Sequence, residues 1–301
     1  MPNRILVVRG GALGDFVLTL PVWAALRRRF PQATLGALLP ADRGQFGEVA
    51  GVFDESRCLD DREWASFFVE NGELKGPAVA WLGRFDAIVS YLHDPKRVWE
   101  TNVKRVWQGD WLQGEGRPPR GGDCPMSLQL LAPLHRWGIV DSDPVPRVNF
   151  TEAQEIGWAL GVHPGSGSET KNWALSRWEQ FLQHWLAKTN NRLLLIGGEA
   201  ERERQAWMKS MVEDQGEVRF GESLLKTAQA LRQCAQFVGH DSGVTHLAAA
   251  LGVPCVVLWG ETNRKIWQPQ QDHVRVIDGG KGLIGISVKA VQAAVDTGGV
   301  R

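Results

Sequence analysis

Ile5-Leu6-Val7-Val8-Arg9-Gly10-Gly11-Ala12-Leu13-Gly14-Asp15 is an apolar run that breaks into a glycine-rich turn and opens an amphipathic stretch over residues 15–29. A short continuous apolar run reads as a strand buried on both faces. Glycines let a backbone approach a ligand closely, and a helix start offers unpaired N–H donors and a positive dipole end. The pattern recurs in the second half. There Ala235-Gln236-Phe237-Val238 leads into Gly239-His240-Asp241-Ser242-Gly243-Val244-Thr245-His246. One such turn is weak evidence for an anion site. Two, each followed by a helix, predict two similar α/β halves facing a shared cleft.

Outward from these turns the chain alternates strand and helix signals. The first half predicts strands at 5–8, 34–39, 52–59 and 87–91, with a short β-like segment at 104–107. Its helices fall at 15–29, from Pro95 onward, and at 126–137, and Pro21 should kink the first of them or mark its first turn. Residues 109–125 are rich in Gly and Pro and read as a long surface loop. Asp141-Ser142-Asp143-Pro144-Val145-Pro146 is the linker candidate. It divides the chain into domains at 1–145 and 146–301.

The alternation then restarts, with strands at 158–162, 192–196, 218–220, 236–238, 255–259 and 274–277. Helices follow at 176–188, 200–212, 224–234, 242–251 and 288–295, the first with Ser176 as N-cap and Glu179 completing a capping box. The last helix is expected in this half or packed back on the N-terminal domain. Alternating elements mean parallel sheets covered on both faces, with ligands at the carboxyl ends of the strands.

Composition narrows the function. The 301 residues carry 34 basic and 34 acidic side chains, and neither half concentrates charge as a nucleic-acid binder would. No apolar run approaches a membrane span, and the N-terminus does not read as a signal peptide. Four cysteines lie far apart without a CxxC pair, which disfavours a zinc site and fits a cytosolic protein. Fourteen tryptophans read mainly as core bulk. Arg27-Arg28-Arg29 offers a peripheral contact to anionic lipid, against the plainer reading of basic residues that complement a helix C-terminus.

The turns also exclude chemistry. Gly10-Gly11-Ala12-Leu13-Gly14 lacks the dinucleotide-binding spacing, and no clear acid ends the strand at 34–39. Asp15 is either a helix-start acid that complements the dipole or a carboxylate poised to take a proton. In His163-Pro164-Gly165-Ser166-Gly167-Ser168-Glu169-Thr170-Lys171-Asn172-Trp173, the small residues around Ser166 suit a loop that wraps an anion, with Lys171 as countercharge. Ser242 and His246 stand one helical turn apart, yet the surrounding sequence is not a nucleophile elbow, and His246 reads as a satisfied, partly buried histidine. Gly221-Glu222-Ser223-Leu224-Leu225-Lys226-Thr227 lacks the glycine that a phosphate loop needs before its lysine.

Four segments together resemble glycosyltransferase family 9, the heptosyltransferase family of lipopolysaccharide core assembly. They are GGALGDFVLTLP at 10–21, HPGSGSETKNW at 163–173, IGGEAE at 196–201, and FVGHDSGVTHLAAALGVP at 237–254, continuing to Trp259-Gly260-Glu261-Thr262. The resemblance implies a GT-B fold of two Rossmann-like parallel-sheet domains, the N-terminal one binding the acceptor and the C-terminal one the nucleotide sugar. It implies inverting, metal-independent transfer, typically from ADP-heptose, with no cofactor. By that resemblance Asp15 is the catalytic base, and Gly11 and Gly14 belong to an anion or acceptor loop. Lys171 binds the diphosphate, Glu201 the ribose, and Asp241, Ser242 and Gly243 the diphosphate and donor sugar. Ser166, in the segment of Lys171, and Thr262, in the continuation of the segment of Asp241, join them as donor-binding residues.

Two departures stand out. Ala174 follows Trp173 where the family often has proline, and Gly260-Glu261-Thr262-Asn263-Arg264 lacks both prolines of the usual G-P-T-D/N-P turn. The expected protein is thus a cytoplasmic glycosyltransferase, with peripheral contact at the inner membrane at most, acting on a lipopolysaccharide-core or related glycan. The alternatives are a GT-B-like sugar-nucleotide epimerase, a serine hydrolase, and a non-catalytic sugar-nucleotide-binding protein.

Overall fold

The computed structural model describes residues 2–118, 122–150, 155–188 and 191–297. The chain forms two compact units, Met1–Pro146 and Arg147–Arg301. Each is a parallel sheet layered with helices.

In the first unit the elements run β1 (Arg4–Val8), α1 (Leu13–Arg29), β2 (Thr34–Leu39), α2 (Ala41–Val49), β3 (Glu55–Cys58) and α3 (Pro77–Leu82). They continue with β4 (Ala87–Ser90), α4 (Val98–Val106), β5 (Asp110–Gln113) and α5 (Met126–Leu131). The sheet order is β3-β2-β1-β4-β5, all parallel. β1 is its central strand, flanked by β2 and β4, and Ile5, Leu6, Val7 and Val8 are fully buried. Trp64, Trp81, Trp99 and Phe67 pack with Leu6 and Ile88 on one face.

In the second unit come β6 (Leu160–His163), α6 (Leu175–Lys188), β7 (Leu193–Gly197), α7 (Gln205–Val212), β8 (Gly216–Phe220) and α8 (Leu224–Arg232). Then follow β9 (Phe237–His240), α9 (Gly243–Ala250), β10 (Cys255–Trp259), α10 (Arg264–Trp267), β11 (Val274–Asp278) and α11 (Val288–Thr297). The order is β11-β10-β9-β6-β7-β8, again parallel. Trp173, Trp178, Phe181 and Leu258 share one core with Val291 and Val295 of α11. The last helix therefore packs on its own unit's sheet.

Parallel order fixes where ligands go. Strand order reverses where β1 meets β4 and where β6 meets β9, and a crevice opens at the carboxyl side of such a reversal. The turn after β1 leaves from the first reversal. The loop after β6 and the turn after β9 leave from the second.

Several expectations are corrected. Residues 104–106 end α4 and Trp107 caps it, rather than forming a strand, because Trp99 and Val103 are the helix's buried face. The edge strand is β5, inside the stretch read as a loop, and residues 119–121 of that stretch lie outside the described residues. Pro21 sits in mid-helix rather than in the first turn. Ser176 is not an N-cap: the Arg177 and Trp178 N–H groups donate to Ala174 O, and Glu179 Oε1 accepts from Trp207 Nε1 at 2.9 Å. The basic triplet is engaged within its own unit. Arg27 grips Asp54 through two contacts of 2.8 Å, Arg28 reaches Ser142 at 2.9 Å, and Arg29 lies over Phe30. Among the described residues no helix is long and apolar enough to cross a membrane.

Candidate active site

The first unit builds a carboxylate at the end of β1. Gly11 has φ +96°, a left-handed conformation, and a Cβ there would stand 2.4 Å from Asp15 Oδ2. Only glycine lets the turn close over that carboxylate. Gly14 and Asp15 both lie in the first turn of α1. Asp15 Oδ2 accepts from the Ala12 N–H at 2.8 Å, so the turn's own acid occupies that donor.

Arg9 is the residue that sequence reasoning missed here. It follows β1 directly and is nearly buried, at 3% exposure. Its Nη2 pairs with Asp15 Oδ1 at 2.9 Å, and its Nη1 donates to Tyr91 O at 3.2 Å and Gly116 O at 3.0 Å. Burial pulls the guanidinium below its ordinary value, and the Asp15 charge opposes that. Arg9 thereby ties the carboxylate to the end of β4 and to the loop after β5. Its signal was the charge directly after an apolar strand.

The second unit assembles its site from four strand ends. Asp241, after β9, takes Lys171 Nζ on Oδ2 at 2.7 Å and the Thr262 hydroxyl on the same oxygen at 2.6 Å. Lys171 comes from the loop after β6 and Thr262 from the turn after β10. The Asp241 side chain is only 9% exposed, whereas Lys171 is 38% exposed and keeps hydrogens to donate. Ser242 caps α9, accepting the Thr245 N–H at 3.4 Å, and Gly243 is the first helical residue.

The histidine that meets the Ser242 hydroxyl is His163, with Nδ1 at 3.4 Å. His163 Nε2 stands 3.4 Å from Glu201 Oε2, and that oxygen also accepts the Gly198 N–H at 2.8 Å. Burial alone would raise the Glu201 carboxyl. The hydrogen bond and charge of His163, the Gly198 N–H and Arg204 outweigh burial and hold it below the ordinary carboxylate range. Glu201 Oε1 is buried with no hydrogen-bond partner among the described residues, close against Gly165, where a Cβ would collide with it. Ser166 folds the loop by donating its hydroxyl to Ser168 O at 2.7 Å.

His240 fastens this loop from below. Its Nε2 accepts from the Trp173 N–H at 2.9 Å, so Nδ1 carries the proton and donates to Gly165 O at 3.1 Å. Full burial pushes the imidazole down to about 3, so it stays neutral. Lys171 and Ser166 are thus held between two fixed points, Trp173 and Gly165.

The structure of Escherichia coli ADP-heptose LPS heptosyltransferase II superposes with a TM-score of 0.78 at 16% identity, covering 98% of each chain. The fold is GT-B, two parallel-sheet α/β units of Rossmann type. The family model for glycosyltransferase family 9 (heptosyltransferase) matches residues 147–282, the span that carries the Lys171, Glu201, Asp241 and Thr262 cluster. Lipopolysaccharide heptosyltransferase 1 of Pseudomonas aeruginosa is 34% identical over 294 residues, 86% of this chain and 79% of the relative. Lipopolysaccharide heptosyltransferase 2 of Salmonella typhimurium is 23% identical over 91% of this chain and 87% of its own length. The chain belongs to glycosyltransferase family 9 and is a glycosyltransferase.

Proposed function

We propose that the protein transfers a heptosyl group from ADP-heptose to a hydroxyl of a lipopolysaccharide-core or related glycan, with inversion and without a metal ion. The observation that carries the reading is the Lys171–Asp241–Thr262 cluster at the start of α9. A half-exposed ammonium beside a helix N-terminus is a diphosphate site. The first N–H groups of a helix have no intrahelical partner. Ser242 takes that of Thr245, which leaves those of Gly243 and Val244 for phosphate oxygens. As the sugar–phosphate bond breaks, Lys171 and this dipole stabilise the departing diphosphate. Glu201, a buried carboxylate with one uncommitted oxygen, suits ribose hydroxyls. Asp15 takes the proton of the attacking hydroxyl, and Gly11 and Gly14 shape the turn that presents it. This work belongs at the cytoplasmic side, where nucleotide sugars are made.

The test is ADP release from ADP-heptose in the presence of a core-oligosaccharide acceptor, with and without excess chelator. Turnover should survive EDTA. Complete loss, restored by Mg²⁺ or Mn²⁺, contradicts the metal-free reading. Thermal shifts across ADP-, GDP- and UDP-sugars should single out the ADP series, since a ligand of the native state raises the melting point by mass action.

A further inference from the structure

His163 ends β6, and the sheet order places β6 between β7 and β9. Glu201 stands in the turn after β7, and Ser242 follows β9. One imidazole at the end of the middle strand reaches both neighbours, because adjacent strands run about 5 Å apart. The residue is 5% exposed and meets one partner at each ring nitrogen. Nε2 lies 3.4 Å from Glu201 Oε2, and Nδ1 lies 3.4 Å from the Ser242 hydroxyl.

The partners fix the direction of these contacts. A carboxylate only accepts, so Nε2 carries a proton and donates to Glu201. In the neutral ring Nδ1 is then an acceptor, and the Ser242 hydroxyl donates to it. Ser242 in turn accepts the Thr245 N–H that it caps. The imidazole is thus braced on the N-cap of α9 and spends its one N–H on the acid. On the acid, Oε2 takes the Gly198 N–H at 2.8 Å as well as that of His163, while Oε1 is buried with no hydrogen-bond partner among the described residues. Two donors on one oxygen set the carboxylate and leave the other oxygen for a ligand. Arg204, whose charge also favours the carboxylate, donates to Pro164 O rather than to Oε1.

We infer that His163 is a positioning residue for the ribose of the nucleotide: its Nε2–H holds Glu201 so that the unpartnered Oε1 meets the ribose hydroxyls. The inference rests on the reading of Glu201 as the ribose ligand. A buried carboxylate oxygen without a partner is costly, and a ribose hydroxyl supplies the missing donor.

Two substitutions separate the ring nitrogens. The amide of glutamine reaches the place of Nε2 and still donates to Glu201. The amide of asparagine reaches only the place of Nδ1, on the Ser242 side. The measurement is the ratio of affinities for ADP and 2′,3′-dideoxy-ADP, by calorimetric titration of the whole protein. Wild type should prefer ADP by about tenfold or more. Glu201→Ala and His163→Asn should lose most of that preference, and His163→Gln should keep it. A variant that merely loosens the fold weakens both nucleotides alike and leaves the ratio unchanged. A wild-type ratio in His163→Asn, or the same loss in both His163 variants, overturns the role of Nε2. A wild-type preference kept in Glu201→Ala, or no preference in the wild type, is a different result, and it overturns the ribose reading on which this one stands.

Discussion

The two units each set a carboxylate beside a cation where a strand gives way to a helix, but they use the pair in opposite ways. In the first, Arg9 is six residues from Asp15 and nearly buried, with its donors shared among Asp15, Tyr91 and Gly116. The carboxylate is the more exposed partner, at 27% against 4%. In the second, the carboxylate of Asp241 is buried and the ammonium of Lys171 is the exposed partner, at 9% against 38%. The first unit therefore presents an accessible carboxylate held by a spent cation. The second presents a cation held by a spent acid. The proposed inverting transfer without a metal would use the first as its base and the second as its anion receptor.

That contrast breaks first at Asp15. Asp15→Asn keeps size and shape and removes basicity, so turnover should fall about 10²–10⁴-fold. Near wild-type turnover in a folded variant would leave Asp15 as no more than a helix-start residue.

Arg9 is the sharper test of structure against chemistry. Arg9→Met removes the side-chain donor of the Tyr91 and Gly116 carbonyls and of Asp15 Oδ1. Removing one partner of a fully buried pair costs about 3–5 kcal/mol, and because Asp15 keeps water contact the expected loss is about 2–3 kcal/mol by denaturant unfolding. An unchanged midpoint would mean that the guanidinium does not organise this turn.

His240 gives a pH signature to the second unit alone. An unfolded histidine takes a proton below about 6.5, whereas His240 stays neutral in the fold down to about 3. The unfolded chain binds more protons in that window, so stability is full above pH 6.5 and falls as pH drops toward 3. The expected contribution between pH 6.5 and 5 is about 2 kcal/mol. His240→Gln should flatten the pH dependence of unfolding by that amount, and parallel curves for the two proteins would contradict it.

How much of this was legible in the sequence follows from range. Buried parallel strands are continuous apolar runs, so β1, β2 and β10 stand in the sequence at or within one residue of their bounds. α2 was missed because Gly44 and Gly47 lower its helix signal. Both are there for contact: a Cβ on Gly47 would stand 2.1 Å from the Phe53 ring and one on Gly44 2.5 Å from Ser56 Oγ. β5 was hidden by the Gly- and Pro-rich residues that follow it. Asp15 was visible because its turn is local. The joining of Lys171, Asp241 and Thr262 was not, since 70 residues separate the first two and 21 the last, and only the sheet order brings them together. Arg9 and His240 were passed over because one directly follows and the other ends an otherwise apolar strand, and their use depends on carbonyls from distant loops.

The most direct measurement is ADP affinity, by calorimetry, on Asp15→Asn and Lys171→Ala side by side. If the first unit carries the base and the second the nucleotide, Lys171→Ala should lose about 1.5–3 kcal/mol of ADP binding, the range for hydrogen bonds to charged groups. Asp15→Asn should bind ADP like wild type while failing to turn over. Unchanged ADP affinity in Lys171→Ala, or an equal loss in Asp15→Asn, would contradict the division of labour between the two units.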